Sequence, residues 1–238
     1  LQLDQNKVAL VAGIGCSSRL VGYADFCTLH GTHGRAPAFA TGLKLARPEL
    51  SVVVVTGDGD GLAIGGNHLI HAARRNIDIT VILLNNSIYG MTGGQVAPTT
   101  PPGAFASTAP GGNTEASFDA CKLLIGAGAS FVARVLAATP IEMTKLMADG
   151  MSHRGFSFIE VISDCPEYFG RYNKAGGGAA MLTGLTLRDE GVAVPLASKR
   201  FVNHVPSSAP PPGITTGVLH REDRPVFVGV RKAVDDES

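Results

Sequence analysis

With 238 residues, 45% of them hydrophobic, the chain can bury a sizeable core and reads as one main domain followed by an irregular tail. Twenty basic and twenty acidic residues leave a formal net charge of zero, so composition offers no footprint for nucleic acid or an anionic membrane surface. No apolar run is long enough to span a membrane, "LQLDQNKVALVAG" lacks signal-peptide order, and four cysteines without a CxxC pair exclude a disulfide framework; a soluble cytoplasmic protein is expected.

The first predicted strand is "VALVAGI" (8–14), with Cys16 just beyond it. "SVVVV" (51–55) is the second, followed by Asp58, and a helix is predicted over 62–75. "IDITVILL" (77–84) runs into Asn85 and Asn86. The stretch from Thr92 to Asn113 is too rich in Gly and Pro for an ordinary connection and reads as a lid or binding loop. A weaker helix over 117–126 precedes a strand at 129–135. The next helix has Thr139 as N-cap, Pro140 at its first position, Glu142 closing a capping box and Gly155 just past its end. "FSFIEVI" (156–162) is the last strand, and Cys165 follows it. Beyond Asn173, "KAGGGAAM" and "SSAPPPG" break every periodic pattern, so 174–238 is expected to be an arm lying on a partner chain.

Alternating strands and helices imply an α/β fold, a doubly wound and mainly parallel sheet covered on both faces. All parallel strands then end on one edge, where ligands bind. Cys16, Asp58, Asn85, Asn86 and Cys165 are expected to share that rim.

The densest of these sites is "VVVVTGDGDGLAIGGNHL" (52–69), with two aspartates among five glycines. An EF-hand calcium loop is excluded because the twelfth position from Asp58 is Leu69, where a bidentate glutamate is required. A dinucleotide fingerprint is excluded because Leu62 and Ile64 stand where the third glycine is needed, and no Gly-Lys-Ser/Thr loop occurs. On adjacent strands, about 5 Å apart, the Asp58 carboxylate and the Asn86 amide can share one hard cation. Magnesium suits so few protein ligands, since phosphate oxygens complete its octahedron. A helix starting near Leu62 would direct free N–H groups at those phosphates. Asp60 acquires no role from the sequence.

"GDG", then 25 residues, then "NN" resembles the thiamine diphosphate signature. The block "TGDGDGLAIGGNHLIHAARRNIDITVILLNNSIYGMTGGQVAPTTP", with "GIGCSSR", "LHGTHGRAPAFATGLKLA", "GFSFIEVISDCPEYFGRYN" and more weakly "TGVLHREDRP", resembles the β subunit of 2-oxoacid:ferredoxin oxidoreductases, particularly those acting on 2-oxoglutarate. The resemblance implies thiamine diphosphate and Mg²⁺, the ion held by Asp58, Asn86 and the Ile88 carbonyl. It places Ser17, Gly57, Gly59, Thr92, Gly93, Gly94 and Gln95 against the cofactor. His33 is either a further diphosphate contact or a turn histidine. His68 and His71 lie three apart on a helix, and helix packing explains them better than a metal.

The resemblance also implies that Cys16 and Cys165 are two ligands of a [4Fe–4S] cluster, which needs four. Family members carry the other two in an upstream "CPGCG", so those two are expected before Leu1. Cys27 and Cys121 read as small buried hydrophobes. No glutamate here suits cofactor activation, and in the family it comes from an α (or fused γα) subunit; an α2β2 heteromer is therefore implied, with ferredoxin, coenzyme A and a 2-oxoacid as its other partners. Arg19 is either a clamp for a distal substrate carboxylate or a surface arginine, and Met91 would form an apolar substrate wall. Pyruvate or branched-chain oxoacids remain alternative substrates, and an iron-free thiamine-dependent decarboxylase or carboligase is the alternative enzyme.

Overall fold

The computed structural model describes residues 1–189 and 214–228. Its strands are β1 (Val8–Ala12), β2 (Cys27–His30), β3 (Ser51–Gly57), β4 (Thr80–Asn85), β5 (Phe131–Leu136), β6 (Ser157–Ile162) and β7 (Gly217–Arg221). They form one sheet in the order β2-β1-β3-β4-β6-β5-β7, parallel throughout except for β7, which runs antiparallel to β5. The helices are α1 (Ala36–Ala46), α2 (Gly66–Arg74), α3 (Ala120–Gly126), α4 (Pro140–Ser152), the single turn α5 (Arg171–Asn173) and α6 (Gly178–Asp189).

The valine run shows why the sheet is covered on both sides. Val52 and Val54 join Ala36 and Ala40 of α1, Leu69 and Ala73 of α2 and Leu124 of α3 in one core. Val53 and Val55 point the other way, into a cluster with Leu10, Ala12 and Val21. Further along that second face, Phe131, Ala133, Ile159 and Val161 pack on Leu146 of α4. A strand buried on both faces has no polar side to alternate, hence the unbroken apolar runs.

Several boundaries differ from the sequence expectation. β1 stops at Ala12 because the Ile14 N–H turns away from the sheet to Asp60. Helical backbone begins at Gly59 rather than near Leu62, as a wide π-type turn (Gly59–Ile64) that leads into α2. The capping box at α4 does not form: the Thr139 hydroxyl donates instead to the Leu136 carbonyl, so Glu142 has no reciprocal partner there. β2, α1 and β7 appear in segments assigned no element. The segment expected to be irregular contains α6 and β7, and β7 extends the sheet of this same chain. The rest of the proposed arm, 190–213 and 229–238, lies outside the described residues.

No helix among the described residues is long and apolar enough to cross a membrane. For function, the decisive feature is the order β1-β3-β4-β6. The C-terminal ends of these four neighbouring parallel strands lead into Cys16, Asp58, Asn86 and Cys165.

Candidate cofactor site at the carboxyl edge of the sheet

A cavity of about 310 Å³ opens on this rim. Ten of the residues expected at a site line it: Cys16, Ser17, His33, Gly57, Asp58, Gly59, Asn86, Ile88, Met91 and Thr92. Its remaining walls, Ile14, Gly15, Asp60, Leu84, Tyr89, Gly90, Ser163 and Asp164, had no site role assigned from the sequence.

Asp58 follows β3 directly and caps the π-type turn, so the first helical N–H groups open beside its carboxylate. It is only 2% exposed, and its Oδ2 accepts a 2.5 Å hydrogen bond from the Thr99 hydroxyl. Burial pushes its pKa up to about 6, against the lowering effect of the Thr99 bond. A carboxylate this desolvated, met by the Thr99 hydroxyl and the backbone N–H groups of Asp58 and Gly59, is suited to a cation. β3 and β4 are paired up to Gly57 and Leu84, so Asp58 and Asn86 leave neighbouring strands. Asn86 Oδ1 accepts from the Ile88 N–H at 3.3 Å, which folds the chain tightly after β4. Among the described residues no three His, Cys, Asp or Glu side chains converge as a metal centre. An ion at Asp58 would draw on amide and backbone oxygens as well, an all-oxygen set that fits a small hard cation.

Gly59 and Gly90 are small for steric reasons. A side chain on Gly59 would collide with the Tyr89 ring, whose hydroxyl donates to the Gly59 carbonyl at 3.0 Å. Burial, and then Asp58 and Asp60, raise the Tyr89 pKa. A Cβ on Gly90 would lie 3.2 Å from Cys16 Sγ and 3.6 Å from Cys165 Sγ, so its bare α-carbon leaves the space between two thiols open. Gly90 does not have a positive φ, so only space demands glycine there. Burial, and then Cys165, raise the Cys16 thiol pKa. Two soft thiol sulfurs thus face one gap.

Asp60, silent in the sequence, ties three loops together. Its Oδ1 accepts from the Ile14 and Gly34 N–H groups at 3.2 and 2.7 Å and lies 2.5 Å from His33 Nδ1; its Oδ2 accepts from the Thr56 hydroxyl at 2.7 Å. The cysteine loop, the His33 loop and the end of β3 are thereby fixed around one buried carboxylate.

Other expected residues stand elsewhere. Gly93, Gly94 and Gln95 do not line the cavity: Gly94 is packed beneath Tyr168 and Tyr172, and Gln95 bonds back to Thr92. Arg19 is exposed, away from the cavity wall, with its guanidinium 3.4 Å from the Tyr23 hydroxyl. Cys165 flanks Gly90 without forming part of the wall. Cys27 is exposed, contrary to its reading as a buried hydrophobe, because β2 is the edge strand of the sheet and all four of its residues are exposed. Cys121 is buried as expected. His68 is half-buried on α2, while His71 is exposed and accepts from Arg74.

Residues 13–161 match the thiamine pyrophosphate enzyme family, in its C-terminal TPP-binding domain. The chain is 58% identical over 180 residues to the 2-oxoglutarate synthase subunit KorB of Methanothermobacter marburgensis, a match that covers 76% of this chain and 63% of that protein. The 2-oxoglutarate oxidoreductase subunit KorB of Mycobacterium tuberculosis is 48% identical over 166 residues, covering 70% of this chain and 44% of that one. The chain thus spans under two thirds of the length of these relatives. Among solved structures, the 2-oxoglutarate:ferredoxin oxidoreductase of Magnetococcus marinus, with 2-oxoglutarate, coenzyme A and succinyl-CoA bound, superposes with a TM-score of 0.81 at 32% identity, covering 99% of this chain and 78% of that one. The motif spacing, the four-strand rim and these similarities converge: the chain belongs to the thiamine pyrophosphate-binding enzymes, within the β-subunit group of the 2-oxoacid:ferredoxin oxidoreductases.

Proposed function

We propose that this chain is the β subunit of a cytoplasmic 2-oxoglutarate:ferredoxin oxidoreductase. The enzyme converts 2-oxoglutarate and coenzyme A to succinyl-CoA and carbon dioxide, and two electrons leave singly through a [4Fe–4S] cluster to ferredoxin. The observation that carries this reading is the buried Asp58 carboxylate beside Asn86, on a rim that also presents Cys16 and Cys165. The named substrate of the KorB relatives supports 2-oxoglutarate over other oxoacids.

Asp58, the Asn86 amide oxygen and the Ile88 carbonyl are the groups that would hold Mg²⁺. Gly57, Gly59 and the N–H groups of the turn at Gly59–Ile64 would take the diphosphate, with Thr92 and His33 at its flanks. When bound, thiamine diphosphate supplies the electron sink for decarboxylation. Met91, 47% exposed in the cavity wall, would press an apolar surface against substrate and hold water back. Cys16 and Cys165 would each give a thiolate to the cluster, on either side of the gap at Gly90. An α subunit would close the open cavity and bring the activating acid, in an α2β2 assembly. Arg19 would reach a substrate carboxylate only by leaving Tyr23.

The test is ferredoxin reduction by the purified complex with 2-oxoglutarate or pyruvate, each with and without coenzyme A. Reduction that requires coenzyme A and prefers 2-oxoglutarate is expected. Preference for pyruvate overturns the substrate assignment, and carbon dioxide release without any ferredoxin reduction overturns the oxidoreductase assignment.

A further inference from the structure

Of the two asparagines that end β4, Asn86 lines the cavity and Asn85 does not. Asn85 is 8% exposed, and both its amide nitrogen and its amide oxygen are hydrogen-bonded. Its Nδ2 donates to Glu160 Oε1 at 2.8 Å, and its Oδ1 accepts from the Ser87 N–H at 3.1 Å. Ser87 has φ of 61°, a left-handed conformation rare for a residue with a side chain. The bond from Asn85 supports that conformation on one side, and the Thr100 hydroxyl, donating to the Ser87 carbonyl at 2.6 Å, supports it on the other. This turn delivers Asn86 and Ile88 to the cavity.

Glu160 settles which way the Asn85 amide faces. It sits on β6, 2% exposed, and among the described residues its hydrogen-bond partners all donate to it: Asn85 to Oε1, Arg134 Nε (2.7 Å) and Cys121 Sγ (3.3 Å) to Oε2. Arg134 is itself held by Asp119 at 2.7 Å. Facing an acceptor, the Asn85 amide must present its NH₂ group, which leaves its oxygen for the Ser87 N–H. From these contacts we infer that Glu160, acting through Asn85, is a positioning residue for the Asn86–Ile88 turn. The inference rests on the proposed Mg²⁺ and thiamine diphosphate site and adds the reason why the motif needs two asparagines.

The bond's polarity can be reversed. Asn85→Asp sets two carboxylates face to face, and Glu160→Gln turns a donor toward either Arg134 or Asn85. In the double variant Asn85→Asp/Glu160→Gln the amide at 160 donates to the new carboxylate at 85. That carboxylate still accepts from Ser87, and the amide oxygen at 160 still accepts from Arg134 and Cys121.

The experiment titrates thiamine diphosphate with Mg²⁺ into the full, cofactor-stripped complex by calorimetry, beside thermal unfolding of the same samples. Each single variant is expected to weaken binding by about tenfold or more, and the double variant to recover to within about threefold of wild type. Asn85→Ala, which deletes the amide without placing a charge in the core, is expected to fold and bind about tenfold more weakly, and keeps the test open if a charged variant does not fold. Variants that melt earlier but bind with wild-type affinity overturn the inference, as does a double variant no better than the singles. A wild-type complex with no Mg²⁺-dependent binding overturns the underlying site, and is distinguished because it needs no variant.

Discussion

Asp58 is a charged group in a poor place for charge, and that makes a counterintuitive prediction. Its folded-state pKa of about 6 stands above the ordinary 3.8. At 1.36 kcal/mol per unit, the shift corresponds to about 3 kcal/mol. A raised folded pKa means that this stability is fully present below 3.8 and is lost as pH rises through about 6. Above that range the metal-free protein carries an ionised, buried carboxylate at its full cost. Asp58→Asn keeps an acceptor for the Thr99 hydroxyl and removes the charge. Under chelation near neutral pH the variant should therefore be more stable than wild type by up to about 3 kcal/mol, and the gap should shrink steadily toward acid pH. Adding Mg²⁺ and thiamine diphosphate should reverse the order, since ligand at about a thousand times its Kd contributes about 4.1 kcal/mol to wild type and nothing to a variant that cannot bind. Urea unfolding across a pH series, with and without ligands, reads both effects. A variant less stable than wild type in chelator near neutral pH, or a gap independent of pH, would refute the reasoning.

Gly90→Ala should fold, because the backbone there suits any residue, yet its methyl group would lie 3.2 Å from Cys16 Sγ. If the proposed cluster sits there, iron content and its electron paramagnetic signal should fall; an unchanged signal would count against a cluster in that gap. Arg19→Ala distinguishes a carboxylate clamp from a surface arginine. As a clamp it should lower kcat/KM for 2-oxoglutarate about tenfold or more while sparing pyruvate, whereas equal effects on both would end that role.

The sequence was informative wherever one local rule dominated. Short unbroken apolar runs rich in Val and Ile read as strands buried on both faces, and their parallel arrangement places Cys16, Asp58, Asn86 and Cys165 on one rim. Elements whose stability comes from elsewhere were not legible. β2 is four exposed residues at a sheet edge, and β7 exists by pairing with β5 across a bulge in a Gly- and Pro-rich region. Thr139 had the right neighbours for a capping box, but its hydroxyl is turned to donate to the Leu136 carbonyl and accepts no N–H of the first turn. The role of Asp60 was invisible because its donors at Ile14, His33 and Gly34 lie 26 to 46 positions away. The same holds for Asn85, whose partner Glu160 is 75 positions distant on another strand. Pattern reveals the ligands; the groups that orient them come from contacts the chain makes only when folded.

The central claim is that the cavity between the ends of β1, β3, β4 and β6 holds thiamine diphosphate through a metal ion gripped by Asp58. Calorimetric titration of thiamine diphosphate into the cofactor-stripped complex, with Mg²⁺ and with chelator, for wild type and Asp58→Ala, tests it most directly. Binding that needs Mg²⁺ in wild type and disappears in Asp58→Ala is the predicted result. Equal affinity in the two proteins, or affinity indifferent to Mg²⁺, would contradict it.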